Sequence, residues 1–155
     1  MNALLWAALL SLTPVGELRA GIPVAIAAGA NPWLAYFVCV GANVLVFPVL
    51  YFFLEVIHHR LLHIKSYQSA FDRFMEKTRD KVRPYINKYG MFGLAVFVAI
   101  PIPGTGAWTA SLAAWFFGMS WWRAFIAVFI GVAIAGGIML GALMGGIKLV
   151  GLVVA

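Results

Sequence analysis

Charged residues are scarce in this chain, and their scarcity excludes most soluble folds. Only 10% of the 155 residues are Asp, Glu, Lys or Arg, whereas 64% are hydrophobic. A typical soluble domain contains about 25% charged residues, so this chain has too few to cover a surface that faces water. Lipid is the solvent that removes this difficulty. The composition therefore predicts a small all-α integral membrane protein, neither a soluble enzyme nor a nucleic-acid-binding domain.

Cysteine and recognisable catalytic motifs are also nearly missing. The one cysteine, Cys39, lies in an apolar run and can form no disulfide within the chain. His59 and His63 stand one helical turn apart, but no other plausible ligand accompanies them, so we expect no metal site. The sequence contains no phosphate-binding loop with a lysine and no distinguishable Ser/His/Asp arrangement. We therefore expect neither an enzyme nor a bound cofactor.

Positive charge is concentrated in the middle of the chain. Residues 58–90 contain eight Lys or Arg and three Asp or Glu, a net charge of +5, between two apolar halves. Membrane loops rich in Lys and Arg stay on the cytoplasmic side, so we expect this stretch to be cytoplasmic. Its hydrophobic residues recur at helical spacing, which predicts an amphipathic helix on the inner leaflet. We expect Pro84 to break or end that helix.

Two apolar runs are long enough to cross a membrane, and the others are too short. A spanning helix needs about 20 residues, which residues 33–57 and 121–147 provide. Asn43 and Pro48 interrupt the first run, where a simple kink is favoured over a role in lining a path. The short runs form two pairs, separated by Pro/Gly-containing breaks at residues 13–21 and 101–106. Each pair predicts a re-entrant helical hairpin that enters the membrane and returns.

The same order of elements occurs twice, at an offset of 89 residues that aligns Gly29 with Gly118 and Trp33 with Trp122. Each half would cross the membrane once, so the halves would have opposite orientations. That is the inverted repeat found in many transporters. We predict a single membrane domain over residues 1–155, with a first repeat at about 1–57, the basic linker at about 58–90 and a second repeat at about 91–147. Both termini would lie outside.

Glu17 and Arg19 are the only charged residues before Glu55, and they lie in the first break. Charge inside a membrane is costly and is usually functional. Arg19 could hold a phosphate or another anion, helped by free N–H groups of the following half-helix. Glu17 could bind and release a proton during transport, because burial favours the neutral carboxyl. The alternative is a structural ion pair, or a carboxylate that caps amides near the surface.

The second break carries hydroxyl groups and glycines but no charge. Gly104 and Gly106, after Pro103, would expose backbone amides that can bind an anion, and Thr105 and Thr109 supply hydroxyl groups. The alternative is that the glycines only permit the turn, while the hydroxyls satisfy carbonyls of the broken helix.

Small residues recur in the second long run, with Gly137, Gly141 and Gly145 at four-residue spacing. Such a face allows helices to pack closely, either within one subunit or between two. Because two spanning helices can hardly shield two hairpins from lipid, we expect a homodimer.

Three segments resemble the small multi-drug export protein family, which is related to the DedA superfamily of VTT-domain membrane proteins. They are residues 17–23 (ELRAGIP), 29–32 (GANP) and 101–109 (PIPGTGAWT). The resemblance covers nearly the whole chain and implies two re-entrant hairpins in inverted repeats, with Glu17, Arg19 and Pro23 as residues of the first hairpin site. It also implies proton-linked translocation of polyprenyl phosphate carriers or phospholipids. The second hairpin departs from larger DedA proteins, since Thr105 and Thr109 stand near places where those tend to carry arginines.

Several functions remain open at this point. The first is a transporter or flippase in the cell membrane for a lipid-linked phosphate, such as undecaprenyl phosphate, or for a phospholipid, coupled to protons through Glu17. The second is a proton-coupled exporter of cationic drugs, which should tolerate loss of Arg19, whereas a phosphate site should need it. The third is a non-transporting scaffold whose basic linker docks anionic lipid or a cytoplasmic partner. A lipid-modifying enzyme is weaker, because it should show a nucleophile or a metal set.

Overall fold

A computed structural model describes residues 3–57, 63, 65–100 and 105–154. Within these ranges the chain forms seven helices and no strand. The helices are α1 (Ala3–Leu12), α2 (Glu17–Ala27), α3 (Pro32–Val56), α4 (Lys65–Tyr89), α5 (Met91–Ala99), α6 (Ala107–Phe116) and α7 (Trp121–Val154). The all-helical class is confirmed. Of the described helices, α3 and α7 are the two that are long and apolar enough to cross a membrane.

The start of the first long helix follows from local sequence. Oδ1 of Asn31 accepts hydrogen bonds from the backbone N–H groups of Trp33 at 3.0 Å and Leu34 at 3.4 Å, and Pro32 occupies the first helical position. Asparagine and proline are preferred at these positions because the first N–H groups of a helix have no partner inside it. The 25 residues of α3 rise about 37 Å, enough to cross the hydrocarbon core of a bilayer, which is about 30 Å thick.

The helices α2 and α6 end in the same backbone motif. The N–H of Gly29 donates to the carbonyl of Ile26, and the N–H of Ala30 donates to that of Ala25. The same pattern of bonds ends α6 at Gly118. The φ angles of Gly29 and Gly118 are 83° and 64°, in the left-handed region that closes a helix in this motif and favours glycine. The 89-residue offset in the sequence therefore extends to the backbone hydrogen bonds at these helix ends.

The helices pack as two groups of three around a common core. The helices α1, α2 and α3 contact one another, and so do α5, α6 and α7. Between the groups, α3 contacts α6 and α7, and α2 contacts α7. Glycine allows the closest approaches: a Cβ at Gly131 of α7 would clash with Val98 of α5, and one at Gly136 would clash with Val40 of α3. Across the two groups, α3 packs on α6 and α7 packs on α2, so each long helix contacts the second short helix of the other group.

The basic linker forms one long helix, and the break expected at Pro84 is wrong. The helix α4 continues to Tyr89 with Pro84 inside it. Proline removes one intrahelical hydrogen bond, but packing on α5 holds the last turn in place. There the carbonyl of Tyr85 lies against Gly93, and the Tyr85 ring lies 5.5 Å from that of Phe97. The buried residues of α4 are Met75, Thr78 and Val82. Because α4 contacts α5 and α6, part of its apolar face covers protein.

Gly137, Gly141 and Gly145 lie on a face of α7 that contacts no other described part of the subunit. A Cβ added at Gly137, Gly141 or Gly145 would meet no described atom within 4 Å. Upstream on the same helix, Ala127 and Ala135 are buried in the core. Packing within one subunit therefore accounts for the upstream small residues but not for these three glycines.

Candidate functional site

The carboxylate of Glu17 lies against the N-terminus of α6. Its oxygens sit so close to Gly106, the residue before α6, that a Cβ added there would overlap them. The backbone N–H of Trp108, in the first turn of α6, donates a hydrogen bond to this carboxylate. Glu17 itself is only 4% exposed. The carboxylate therefore occupies the place where a helix N-terminus binds an anion through its free N–H groups and its dipole.

The backbone of Glu17 is held in an unfavourable conformation. Its φ is 49°, and among the described residues it is the one non-glycine with a positive φ. A left-handed conformation costs an ordinary residue about 1 kcal/mol or more. The surrounding turn holds it there: the Glu17 N–H donates to the carbonyl of Thr13 at 3.2 Å, and the Gly16 N–H donates to Oγ1 of Thr13 at 3.0 Å. Strain of this kind is concentrated at functional sites.

Arg19 connects the first break with the second. Its Nη2 atom donates to the carbonyl of Ile100 at 2.9 Å and to Oγ1 of Thr105 at 2.9 Å, while its Nη1 atom lies 3.6 Å from Oε2 of Glu17. The hydroxyl of Thr105 donates to the same Ile100 carbonyl at 2.7 Å. A planar guanidinium can serve several acceptors at once. One side chain from α2 therefore binds the residue before the second break and a residue within it.

A narrow void lies between these groups. It is lined by Glu17, Leu18, Arg19, Asn43, Val98, Gly106, Val132 and Ala135. It has no room for a water molecule. The 89-residue offset pairs Glu17 with Gly106 and Asn43 with Val132, so the void lies where equivalent positions of the two halves meet. Asn43 and Val132 are near the midpoints of the apolar spans Pro32–Val56 and Trp121–Gly146. The void is thus bordered by residues near the middle of both apolar spans.

The structure brings some of the predicted site residues together and leaves others apart. Those that meet are Glu17, Arg19, Thr105 and Gly106. Thr109 is buried on α6 and Pro23 lies inside α2, but neither lines the void. Pro103 and Gly104 lie outside the described residues. The charged pair was recognisable because charge is so rare in the apolar halves of the chain.

Sequence reasoning missed three contributors to the site. Two are backbone groups, the carbonyl of Ile100 and the N–H of Trp108. Nearly every residue has these groups, so the sequence cannot identify which ones take part. The third is Asn43, which is 1% exposed and was interpreted as a kink. Its position in the middle of an apolar span was the signal that could have identified it, because a polar side chain at that depth is costly.

Metal ligands do not cluster in the part of the chain that the structure describes. No group of three or more His, Cys, Asp or Glu side chains there could hold an ion. His63 is exposed, and its predicted neighbour His59 lies outside the described residues.

Two apolar grooves lie on the outside of the helices next to the void. The first, of about 490 Å³, is lined by Leu12, Leu45, Val46, Val49, Leu50, Phe53 and Trp108. The second, of about 390 Å³, runs between α5 and α7. The offset pairs Leu45 with Ile134 and Val49 with Ile138. Trp108 joins the first groove to the site, since its indole Nε1 donates to the Leu12 carbonyl at 3.1 Å while its backbone N–H reaches Glu17.

Comparison with known proteins identifies a family. Residues 17–138 match the sequence profile of the family described as "Putative small multi-drug export protein". This range contains the Glu17–Arg19 pair, the whole of α3 and the whole of α6. No curated protein and no solved structure was found to match. The match covers well over half of the chain; it includes all of the first helix that can cross a membrane and the larger part of the second apolar span, Trp121–Gly146. The chain therefore belongs to the small multi-drug export protein family and is a membrane transport protein.

Proposed function

We propose that this chain is a proton-coupled transporter whose cargo has a phosphate head and an apolar tail, such as undecaprenyl phosphate or a phospholipid. The observation that carries the proposal is the buried Glu17 carboxylate, which occupies an anion-binding place formed by Arg19 and the N-terminus of α6. Phosphate and carboxylate accept hydrogen bonds from the same donors. A phosphate head could therefore replace the carboxylate once Glu17 is neutral.

Charge balance gives the direction of coupling. When Glu17 is ionised, its negative charge and the positive charge of Arg19 offset each other beside a void that is too small for a water molecule. A proton that binds Glu17 leaves Arg19 as the remaining charge of the pair, so the site then attracts an anion. Loss of the proton on the other side of the membrane restores the carboxylate, which displaces the phosphate. Proton and cargo therefore move in the same direction.

The architecture supports a route for such a cargo. We interpret α1–α2 and α5–α6 as the re-entrant hairpins of two inverted repeats, with α4 on the cytoplasmic side of the cell membrane, as in the DedA superfamily. The void is bordered by the midpoints of both spans, so the Glu17–Arg19 pair would lie near the bilayer midplane, where transporters with broken helices bind their substrates. The groove beside Trp108 would hold the apolar tail while the head occupies the site.

We also propose a homodimer through the face formed by Gly137, Gly141 and Gly145. These glycines have open space around them, and small residues at this spacing let the helices of two subunits approach closely. Oxidative cross-linking of Gly141→Cys in membranes tests the proposal in a background where the one native cysteine is removed, Cys39→Ala. We expect covalent dimers. A cysteine at the exposed Phe129, on another face of α7, should give few; equal cross-linking of the two would contradict the assignment.

The family description favours a second candidate, the proton-coupled export of cationic drugs. In that mechanism Glu17 would be the counter-ion of the drug, and proton and drug would compete for its carboxylate. Arg19 separates the two candidates. Removing its positive charge should strengthen binding of a cation to Glu17 and weaken binding of a phosphate.

Translocation in proteoliposomes tests the proposed function. The movement of a lipid-linked phosphate is measured with and without a pH gradient for wild type, Glu17→Gln and Arg19→Ala. The control Arg73→Ala removes an exposed arginine of α4. We expect wild type and the control to respond to the gradient. Arg19→Ala should lose roughly tenfold to hundredfold in rate, since it lacks a charged hydrogen-bond donor, and Glu17→Gln should lose the response to the gradient.

Thermal unfolding in detergent checks that each variant folds as well as wild type. If all variants move the lipid phosphate equally, or none of the proteins moves it, the phosphate assignment is wrong. Export of a cationic dye that is faster in Arg19→Ala than in wild type would support the second candidate instead. A phenotype that follows only the charges of residues 58–90 would support a scaffold.

A further inference from the structure

Asn43 has an unmet hydrogen-bonding requirement at the centre of the molecule. It is 1% exposed, and its Oδ1 atom has no hydrogen-bond partner among the described residues. It lines the same void as Glu17 and Arg19. A buried acceptor without a donor destabilises a folded protein, and such atoms are uncommon in native structures. We therefore expect Oδ1 of Asn43 to accept a hydrogen bond in one protonation state of the site.

Few hydrogen-bond donors lie near Oδ1 of Asn43 in this structure. The void is too small to hold a water molecule, so a bridging water cannot supply the donor. The backbone N–H of Trp108 donates to Glu17, and Arg19 is directed to acceptors of the two breaks. The helices α5 and α7 border the void with Val98, Val132 and Ala135, whose side chains have no donor. The donor that needs no additional space is a proton carried by Glu17.

We propose that Asn43 is the proton-binding partner of Glu17, with the hydroxyl of the protonated Glu17 donating a hydrogen bond to Oδ1 of Asn43. This inference rests on the proposed function and adds a residue of α3 to the site. A protonated carboxyl has one donor, and a carboxamide oxygen is a suitable acceptor. The proton is transferred from a hydronium ion: one of its O–H bonds breaks, an O–H bond forms on the carboxylate, and a water molecule is left; no other covalent bond changes. When Glu17 is ionised, its carboxylate and Oδ1 of Asn43 are both acceptors, so the hydrogen bond between these two groups is lost.

The other ionisable groups near this pair are few. Among the residues that line the void, Arg19 is the one charged partner of Glu17. Cys39 lies one helical turn from Asn43 on α3, but its thiol is hydrogen-bonded with Ser11 of α1. The void-lining residues of α5 and α7, and Gly106 before α6, are not ionisable. The proton affinity of the site is therefore set mainly by Arg19, by the N-terminus of α6 and by Asn43.

The second half of the chain suggests the substitution for the test. Val132 is the equivalent of Asn43 under the 89-residue offset and lines the same void. Asn43→Val therefore introduces a residue that already occupies the equivalent place, and it removes an unpartnered polar atom. We expect its melting temperature to equal or exceed that of wild type, so misfolding should not obscure the result.

Infrared titration of the full-length protein in detergent tests the proposal. The C=O band of protonated Glu17, assigned by its loss in Glu17→Gln, is followed against pH. We expect the midpoint in Asn43→Val to be about one pH unit lower than in wild type, because loss of one hydrogen bond to the neutral form disfavours protonation. The band should also move toward the frequency of a carboxyl without a hydrogen bond. Ser11→Ala, which removes a buried hydroxyl bonded to the Ala7 carbonyl, should leave midpoint and band unchanged.

The outcomes separate this inference from the proposed function. If the midpoint and the band frequency of Asn43→Val equal those of wild type, the role of Asn43 is wrong. The proposed proton coupling would still stand in that case, provided that Glu17 titrates in the wild-type protein. A midpoint that moves to higher pH would also overturn it, because the carboxamide would then be stabilising the carboxylate. If wild type shows no band that depends on Glu17 over the working pH range, both the proposed function and this inference are wrong.

Discussion

At the scale of single residues, the site depends on a carboxylate that the fold places where an external anion would bind. Glu17 accepts the Trp108 N–H, lies beside Arg19 and has a strained backbone. A structural ion pair would not need that strain, because an unstrained residue at the surface could cap α6 equally well. Three features distinguish this pair from a cap: its burial, its strain and, in the same void, an Asn43 Oδ1 atom that has no hydrogen-bond partner among the described residues.

Gly106 is the residue that allows the carboxylate to approach α6. A Cβ at this position would overlap the carboxyl group of Glu17, so we expect Gly106→Ala to lower the free energy of unfolding by about 1–3 kcal/mol and to abolish proton-coupled transport. Chemical unfolding in detergent and the proteoliposome assay measure these two effects. Gly41→Ala is the matched control, because a Cβ there would meet no described atom within 4 Å. Transport by Gly106→Ala at the wild-type rate would show that Glu17 need not contact α6.

At the residue scale, the sequence could single out Glu17 and Arg19 as candidates but not the groups that they contact. Glu17 and Arg19 were identified because almost no other charge occurs in the first 54 residues. Their partners on the other half are largely backbone groups, and these are brought together only by the packing of distant helices. No local pattern could select the Ile100 carbonyl or the Trp108 N–H from the many equivalent groups of the chain.

At the scale of helices, the two halves end their second short helices, α2 and α6, with the same hydrogen-bond motif. The elements follow from the lengths of the apolar runs and from proline and glycine between them, which is why their order was predictable. The linker helix was predictable only in part. Pro84 reads as a helix end in sequence, but its cost is one hydrogen bond, and the packing of Tyr85 on Phe97 and Gly93 of α5 outweighs it.

Gly29 and Gly118 provide a test of the equivalence between α2 and α6. Both have a positive φ and both close the same motif, so alanine at either position should lower the free energy of unfolding by about 1 kcal/mol. We expect Gly29→Ala and Gly118→Ala to have nearly equal effects in detergent. Gly41→Ala, inside α3, should instead be neutral or stabilising by up to about 1 kcal/mol. A large loss in one of the pair and none in the other would show that the two ends are not equivalent.

At the scale of the whole molecule, the packing of the two halves is reciprocal. The first half places α3 on α6, and the second half places α7 on α2. The equivalent pairs Glu17 with Gly106 and Asn43 with Val132 meet at the void. Yet the polar side chains at these positions come from the first half alone. The second half contributes backbone groups and the Thr105 hydroxyl. The two halves therefore have similar helix packing, but only the first half supplies charged side chains to the site.

The inverted repeat predicts that the turns after α2 and α6 lie on opposite sides of the membrane. Ala28 and Ser120 are exposed in these turns, and the native Cys39 is buried. In a Cys39→Ala background, we expect a membrane-impermeant maleimide to label Ala28→Cys in intact cells. Labelling of Ser120→Cys should require permeabilised cells, as should labelling of Lys77→Cys on the basic helix α4, because positive loops stay inside.

The pattern of labelling separates the two parts of this prediction. If Ala28→Cys and Ser120→Cys are labelled from the same side, the two halves do not have opposite orientations and the inverted repeat is wrong. If labelling is opposite but Ser120→Cys and Lys77→Cys react from outside, the repeat is inverted while the basic helix is external. In that case the Glu17 hairpin would enter the membrane from the cytoplasmic side, while proton and cargo would still move in the same direction.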